Sequence, residues 1–293
     1  MSREIAVDVH VHLWEKQQGI VNGRAVFDVG GGKSDFGGEV RQMMPPYMDD
    51  GRNTVERLIA NMDYAGVSGC VVTQEYIDGI QDRYLLAAKE KYPDRLKICS
   101  LYEERPDYRL KGFDGIKICA GRLKDRDLKK HLPVFLEAQR QGKFVSIDLA
   151  DGDEQVADME YIINACPYLK IAIGHFGMVT TKGWQKQIAL AKNKNVFIES
   201  GGLTWLFSKE FYPFPSAVDA ICEARDICGM EKLMWGSDYP RTMTEITYKM
   251  SVEFIRRTEK LTEAEKRMFL RENAMGFYGF ENVTEMEEIP NML

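Results

Sequence analysis

The chain has 293 residues with 45 acidic side chains against 39 Lys and Arg, a formal net charge of -6, and four histidines. This length can bury a sizeable core, and no linker-like stretch divides it, so one domain over residues 1–293 is expected. The acid excess (pI near 5.5) argues against nucleic acid or an anionic membrane as a general partner, while a local basic pocket for a small acid stays compatible with it.

Ile5 to Val9 reads as the first strand. A long connection follows from about Glu15 to Asn53, rich in glycine (Gly30-Gly31-Gly32, Gly37-Gly38) and carrying Met43-Met44-Pro45-Pro46. That composition suits bends and an irregular surface cover, with a substrate lid as one use for it. Asn53-Thr54-Val55-Glu56 resembles a helix start, and Val55, Leu58, Ile59, Met62 and Ala65 form an apolar stripe that Gly66 ends. Strands then alternate with helices: strand Cys70 to Thr73, helix Ile80 to Lys91, strands Leu96 to Ser100 and Gly115 to Cys119, helix Leu128 to Arg140, and strand Phe144 to Asp148. The rhythm continues with helix Glu154 to Ala165, strand Leu169 to Gly174, helix Gln185 to Ala191, strand Val196 to Ser200, helix Ser216 to Cys228, strand Lys232 to Gly236 and a helix from Thr244 to Arg257. Thr262-Glu263-Ala264-Glu265 has the capping-box pattern, Asn273 to Tyr278 closes as a short helix, and the acidic run from Glu285 to Glu288 needs no functional role. Eight strands interleaved with helices fit an α/β (β/α)8 barrel, a TIM barrel with a long loop after strand one. A Rossmann-like sheet would need a Gly-rich fingerprint after that strand, and none is present.

The six cysteines, Cys70, Cys99, Cys119, Cys166, Cys222 and Cys228, are scattered through mostly apolar segments and read as reduced core thiols. The chain reaches its first strand at once, and no apolar run approaches membrane-spanning length, so a cytoplasmic protein is expected. Met43 to Met48 and Trp205-Leu206-Phe207 suit a lid, loop core or subunit contact equally, which leaves a homo-oligomer open.

Asp8-Val9-His10-Val11-His12 carries the most chemistry. On an extended strand Asp8, His10 and His12 share one face and Val9 and Val11 the other, so two imidazoles can converge on one ion. His175, in Gly174-His175-Phe176-Gly177, and Asp238, in Trp235-Gly236-Ser237-Asp238-Tyr239-Pro240, fall at later strand ends that a barrel brings to the same mouth. Histidine nitrogens and an aspartate oxygen suit Zn2+ or a similar first-row ion, with room for water and substrate. His131, in Lys129-Lys130-His131-Leu132-Pro133, reads instead as a surface or capping residue.

These motifs, with Asn61-Met62-Asp63-Tyr64-Ala65-Gly66-Val67 and Gly115-Ile116-Lys117, resemble the amidohydrolase superfamily. Within it they resemble the amidohydrolase-related group that includes aminocarboxymuconate-semialdehyde decarboxylase-like enzymes and small dicarboxylate lactonases. The resemblance implies that His10 and His12 are first-strand ligands, His175 the later-strand histidine and Asp238 the final acid, holding one divalent ion for which zinc is the expected choice. Metal-dependent relatives end strand five with another histidine, whereas Ser146-Ile147-Asp148-Leu149 offers Asp148. That carboxylate is read as a substitute ligand, as a cap or loop bond, or as the mark of the lactonase branch that can work without a catalytic metal. Lys117, Arg122, Tyr239 and Arg241 are expected to bind an acidic small-molecule substrate, and Glu75, Glu199 and Trp205 to shape the pocket or support its loops. The activity this implies is hydrolysis of a small organic acid, a carboxylate-bearing lactone or related carbonyl compound, with Asp238 and His175 catalytic. Metal-dependent non-oxidative decarboxylation of a small unsaturated acid, amide hydrolysis and a noncatalytic small-ligand-binding barrel are the alternatives.

Overall fold

A computed structural model of the protein describes residues 5–104 and 110–282. Its strands, in chain order, are β1 (Ala6–Val11), β2 (Ile20–Val21), β3 (Arg24–Gly30), β4 (Lys33–Phe36), β5 (Val40–Gln42) and β6 (Val67–Val72), followed by β7 (Leu96–Leu101), β8 (Gly115–Cys119), β9 (Phe144–Asp148), β10 (Ile171–Ile173), β11 (Val196–Glu199) and β12 (Leu233–Met234). β1 and β6 to β12 form one sheet in sequence order, with parallel neighbours. Val9 N donates to Trp235 O at 3.1 Å and Asp238 N to His10 O at 2.9 Å, which joins the last strand to the first. Helices cover the outside, and the result is the expected (β/α)8 barrel.

Strand alternation sorts the side chains into two layers. Ile116, Ile118, Val145, Ile147, Ile171 and Ile173 pack outward against the helices. Val7, Val9, Val71, Phe144, Ala172 and Met234 form an inner cluster with Phe277, Tyr278 and Phe280 from the last helix and the turn after it. Above that apolar floor the inward positions turn polar: Lys117, Ser146, Asp148 and Glu199 follow the same alternation toward the strand C-termini.

β1 departs from the simple alternation expected of Asp8, His10 and His12. Asp8 pairs with Cys70 and Val11 with Val72, three steps along β1 against two along β6. The extra residue is a β-bulge, which re-aims the side chains that follow it. Asp8 therefore faces the outer shell, where it accepts a hydrogen bond from Tyr248, while Val9 and His10 both face inward.

The connection from residue 15 to 53 is more ordered than an irregular cover. β2 to β5 form a four-stranded antiparallel sheet. Asn22 (φ 51°) and Gly23 (φ 75°) join β2 to β3 as a two-residue turn whose positive φ angles match the twist of a hairpin. One face of the sheet buries Val26 and Phe36 with Trp14, Met43, Met44 and Met48 in a cluster of its own.

Other elements shift by a few residues: the helix starting near Thr244 is a short 3-10 turn, Arg241–Thr244, followed by the helix Met250–Arg257. The Thr262 capping box is present as expected. His131 is buried rather than superficial: it bridges the Tyr102 hydroxyl at 2.9 Å and the Asp125 carbonyl at 2.8 Å. All six cysteines are free thiols, four of them buried. No helix among the described residues is long and apolar enough to cross a membrane. The acidic run from Glu285 to Glu288 lies outside the described residues.

Because the inserted sheet has a separate core, Phe36→Ala should loosen it without loosening the barrel. The expected outcome is faster proteolysis within residues 17–52 and a thermal midpoint far less lowered than by the barrel-core truncation Ile147→Ala. Equal losses for the two variants would show that the sheet and barrel unfold as one unit.

Candidate active site

Three of the four histidines meet at the C-terminal mouth of the barrel. Each uses Nδ1 to bind the protein: His10 Nδ1 lies 2.6 Å from Glu199 Oε1, His12 Nδ1 2.8 Å from Asp78 Oδ2, and His175 Nδ1 2.8 Å from Gly201 O. An acceptor at Nδ1 places a proton there and turns Nε2 to the centre, the outer-sphere arrangement usual for metal-binding imidazoles.

The Nε2 atoms of His10 and His12 are 3.2 Å apart, and Asp238 Oδ1 stands 3.1 Å from the second and 3.8 Å from the first. Two ligands bound at about 2.0–2.1 Å in a tetrahedral site lie about 3.3 Å from each other. His10, His12 and Asp238 therefore fit a first-row divalent ion without rearrangement of the backbone. A second set, His10, Asp148 and His175, brings its ligand atoms within 4.8 Å of one another and shares His10 with the first. In that set Asp148 is already compensated, because Lys117 Nζ donates to its Oδ1 at 2.6 Å.

Close approach of three strand ends makes glycine necessary around these groups. A Cβ on Gly174 would collide with Asp148 Oδ1, one on Gly201 would lie 2.7 Å from His10 Nδ1, and one on Gly236 2.7 Å from His10 Cβ. His175 (φ 56°) and Asp238 (φ 60°) hold left-handed backbone, a strain of about 1–3 kcal/mol each that the surrounding contacts must offset.

Three buried carboxylates, Asp78, Asp238 and Glu199, and the partly buried Asp148 gather here with one lysine, an excess of negative charge that either protons or a cation must balance. Burial alone lowers the His12 pKa, but Asp78 and Asp238 more than reverse it and hold it well above the ordinary 6.5. His175 behaves alike: burial opposes its charge, Asp148 favours it, and its pKa is raised to about 9. For Asp148 and Asp238 burial favours the neutral form, yet Lys117 beside Asp148, and the His12 hydrogen bond with the neighbouring histidines at Asp238, hold both carboxyls well below their ordinary value. His10 shifts the other way, lowered by burial against the pull of Glu199.

The mouth opens into a cavity of about 690 Å³ whose wall includes His12, Asp148, His175, Trp205 and Asp238, four arginines (Arg41, Arg122, Arg126 and Arg241), and Trp14, Phe36 and Met43 from the inserted sheet and its flanks. Arg122 pairs with Glu75 at 3.1 Å, Arg126 with Glu154 at 2.8 Å and Arg41 with Glu39 at 2.6 Å. Arg241 stacks instead on Trp205, 3.7 Å from the ring centre, and has no acidic partner among the described residues. Trp205 Nε1 donates to Asp238 Oδ2 at 2.6 Å.

Two expected substrate residues stand elsewhere. Lys117 is fully buried and not part of the cavity wall, and its ammonium pairs with Asp148. Tyr239 is also fully buried, its ring edge-on to Tyr248 in the outer shell, because the turn after β12 that aims Asp238 inward sends the next side chain outward. Glu75 and Trp205 reach the cavity wall, and Glu199 lies behind His10. Asp78 was not singled out from sequence, nor were Arg41 and Arg126; the one available signal for Asp78 was its place just beyond β6, where barrel loops supply site residues.

An ion at His10, His12 and Asp238 must displace the proton that His12 carries, so binding should release protons. Affinity for Zn2+ is then expected to rise with pH above 6.5 for as long as His12, its pKa held well above that ordinary value, still carries its proton, by about tenfold per unit for each proton displaced. Calorimetry in buffers of different ionisation enthalpy measures the release; an affinity flat across that interval would contradict the arrangement.

Comparison with known proteins agrees with the barrel. Similar solved structures include a probable 2-pyrone-4,6-dicarboxylic acid hydrolase from Acinetobacter baumannii with citric acid bound (TM-score 0.70, 20% identity, 94% of this chain and 99% of that one). An amidohydrolase from Burkholderia multivorans with bound zinc gives a TM-score of 0.68 at 14% identity, covering 94% and 99%. A 5-carboxyvanillate decarboxylase from Novosphingobium aromaticivorans, complexed with manganese and a nitrobenzoic acid, gives 0.51 at 18% identity, covering 76% and 79%. Identities this low show a shared fold, and no curated protein matches the sequence. Residues 7–280, nearly the whole chain, match the family profile described as Amidohydrolase, so the chain belongs to the amidohydrolase family and is an amidohydrolase-related enzyme.

Proposed function

We propose that the protein hydrolyses a small carboxylate-bearing lactone or a closely related carbonyl compound, with one divalent ion, zinc by preference, held by His10, His12 and Asp238. The observation that carries this reading is the convergence of those three ligand atoms in a cavity rimmed by four arginines. Imidazole nitrogens with one carboxylate oxygen favour zinc over the harder Mg2+ and Ca2+. When bound, the ion supplies electrophilic polarisation of the reacting carbonyl and favours ionisation of water.

The chain's own residues supply the rest. Arg241, stacked and without an acidic partner among the described residues, grips the substrate carboxylate, and Arg122 and Arg126 can turn from Glu75 and Glu154 toward a second anionic group. Asp238, fixed through Oδ2 by the Trp205 indole, takes the proton from water as its oxygen bonds to the carbonyl carbon. His175, kept cationic by Asp148, gives a proton to the ring oxygen as its bond to that carbon breaks, so the product is a ring-opened acid bearing a new hydroxyl. Lys117 holds Asp148 ionised for this task. Val21, Phe36, Arg41 and Gln42 of the inserted sheet form part of the cavity wall.

A panel of lactones, amides and unsaturated acids, each with and without a second carboxylate, tests the reading. Turnover of an anionic lactone is expected, with Asp238→Asn lowering kcat about 10²–10⁴-fold. CO₂ release from an unsaturated acid with no lactone opening would replace hydrolysis by decarboxylation. Arg241→Gln should raise KM for the anionic substrate at least tenfold with a smaller change in kcat, as expected when ground-state and transition-state binding are lost together. An unchanged KM would remove Arg241 from the substrate site.

A further inference from the structure

We propose that Asp8 and Tyr248 form a clamp that sets the spacing between the two strand ends carrying His10 and Asp238, making both of them positioning residues for the ion site. The proposal rests on the reading of His10, His12 and Asp238 as ion ligands.

The seam between β12 and β1 is where the barrel closes, and it is the least regular of its junctions. β12 has only two residues, Leu233 and Met234, and neither is in register with β1. The seam holds by separate bonds, Val9 N to Trp235 O, Asp238 N to His10 O and His12 N to Tyr239 O, of 3.1, 2.9 and 2.8 Å. Two of the three ion ligands come from its β1 side and the third from the turn after β12. Any slip along it changes the distance between His10 Nε2 and Asp238 Oδ1.

Asp8 spans this seam from behind. Its side chain is fully buried and turned away from the cavity by the β1 bulge. Oδ1 accepts from His10 N at 3.2 Å and from Ser237 N at 2.9 Å, the residues that are respectively one ligand and the neighbour of another. Oδ2 accepts from the Tyr248 hydroxyl at 2.8 Å. One carboxylate thus binds β1, the turn that aims Asp238 and the segment leading into the helix Met250–Arg257.

The chemistry suits a carboxylate. Oδ1 accepts from two backbone N–H groups and Oδ2 from the phenol, whereas an asparagine would keep the pair at Oδ1 only by turning its NH2 toward Tyr248, whose hydroxyl must then swing round to accept. Tyr248 is fully buried against Tyr239 and Trp235, at ring separations of 5.6 and 6.4 Å, so its hydroxyl approaches Asp8 from a fixed direction. Tolerance in such sites is about 0.5 Å, less than a seam without its rear support can guarantee.

Tyr248→Phe removes the phenolic donor and keeps the ring, and neither Tyr248 nor Asp8 touches the cavity. Zinc affinity is measured by competition with a chromophoric chelator, and kcat and KM on a lactone turned over by the wild type. Ile162→Ala, a core truncation in the helix Val156–Ala165, serves as the control for stability alone. Tyr248→Phe and Asp8→Asn are expected to weaken zinc binding about 10–100-fold, the range found for outer-sphere partners, and to lower kcat more than they raise KM. Ile162→Ala, even with an equal fall in thermal midpoint, should change zinc affinity less than threefold. Tyr248→Phe and Asp8→Asn that match the control in both affinity and kcat would overturn the clamp. A wild type that opens lactones but binds no ion sinks the ion reading separately; the clamp then stands on a tenfold or greater fall in kcat at unchanged KM, and falls without it.

Discussion

An imidazole has two nitrogens, and what binds one decides what the other can do. At the mouth of this barrel Glu199, Asp78 and the Gly201 carbonyl each take the Nδ1 side of a histidine, leaving three Nε2 atoms facing a common space. Those acceptors come from the end of β11, the loop after β6 and the loop after β11, so none can act until the barrel has closed. Glycines at 174, 201 and 236 then allow the strand ends to approach without a side chain between them. The site is therefore a property of closure as much as of the histidines themselves.

Charge follows from the same crowding. Three buried carboxylates and a partly buried fourth around one lysine would be intolerable if all stood unpaired, and proton uptake by His12 and His175 relieves the excess. A divalent ion relieves it equally well. Lys117 settles one part of this permanently: fully buried and 2.6 Å from Asp148, it leaves the His12 and Asp238 side as the region still short of positive charge. The arginines line the cavity wall, three of them paired with acids, and leave the centre to the histidines and carboxylates.

Much of the barrel was legible because its signals are local. β8 and β9 match their expected ends, and all eight barrel strands were found, since short apolar runs bounded by helices mark them plainly. The bulge in β1 was not legible: Asp8-Val9-His10 looks like perfect alternation, and only pairing with β6 shows the extra residue. The inserted sheet was missed for another reason. Its glycines suit bends and an irregular surface cover, although Asn22-Gly23 between Ile20-Val21 and Arg24 to Gly30 is a strong hairpin signal. In the site, His10, His12, His175 and Asp238 stood out by residue type and place, while Asp78 and the inward course of Lys117 depended on contacts between distant segments. Tyr239 follows Asp238 in sequence but not in direction, because in the turn after β12 the two adjacent side chains point to opposite sides.

Anomalous diffraction from zinc-soaked crystals is the most direct measurement of whether closure builds an ion site. One full-occupancy peak about 2.0–2.2 Å from His10 Nε2, His12 Nε2 and Asp238 Oδ1 is the expected result. A peak bound elsewhere, or an empty site at saturating zinc with those three side chains in the same positions, would contradict it.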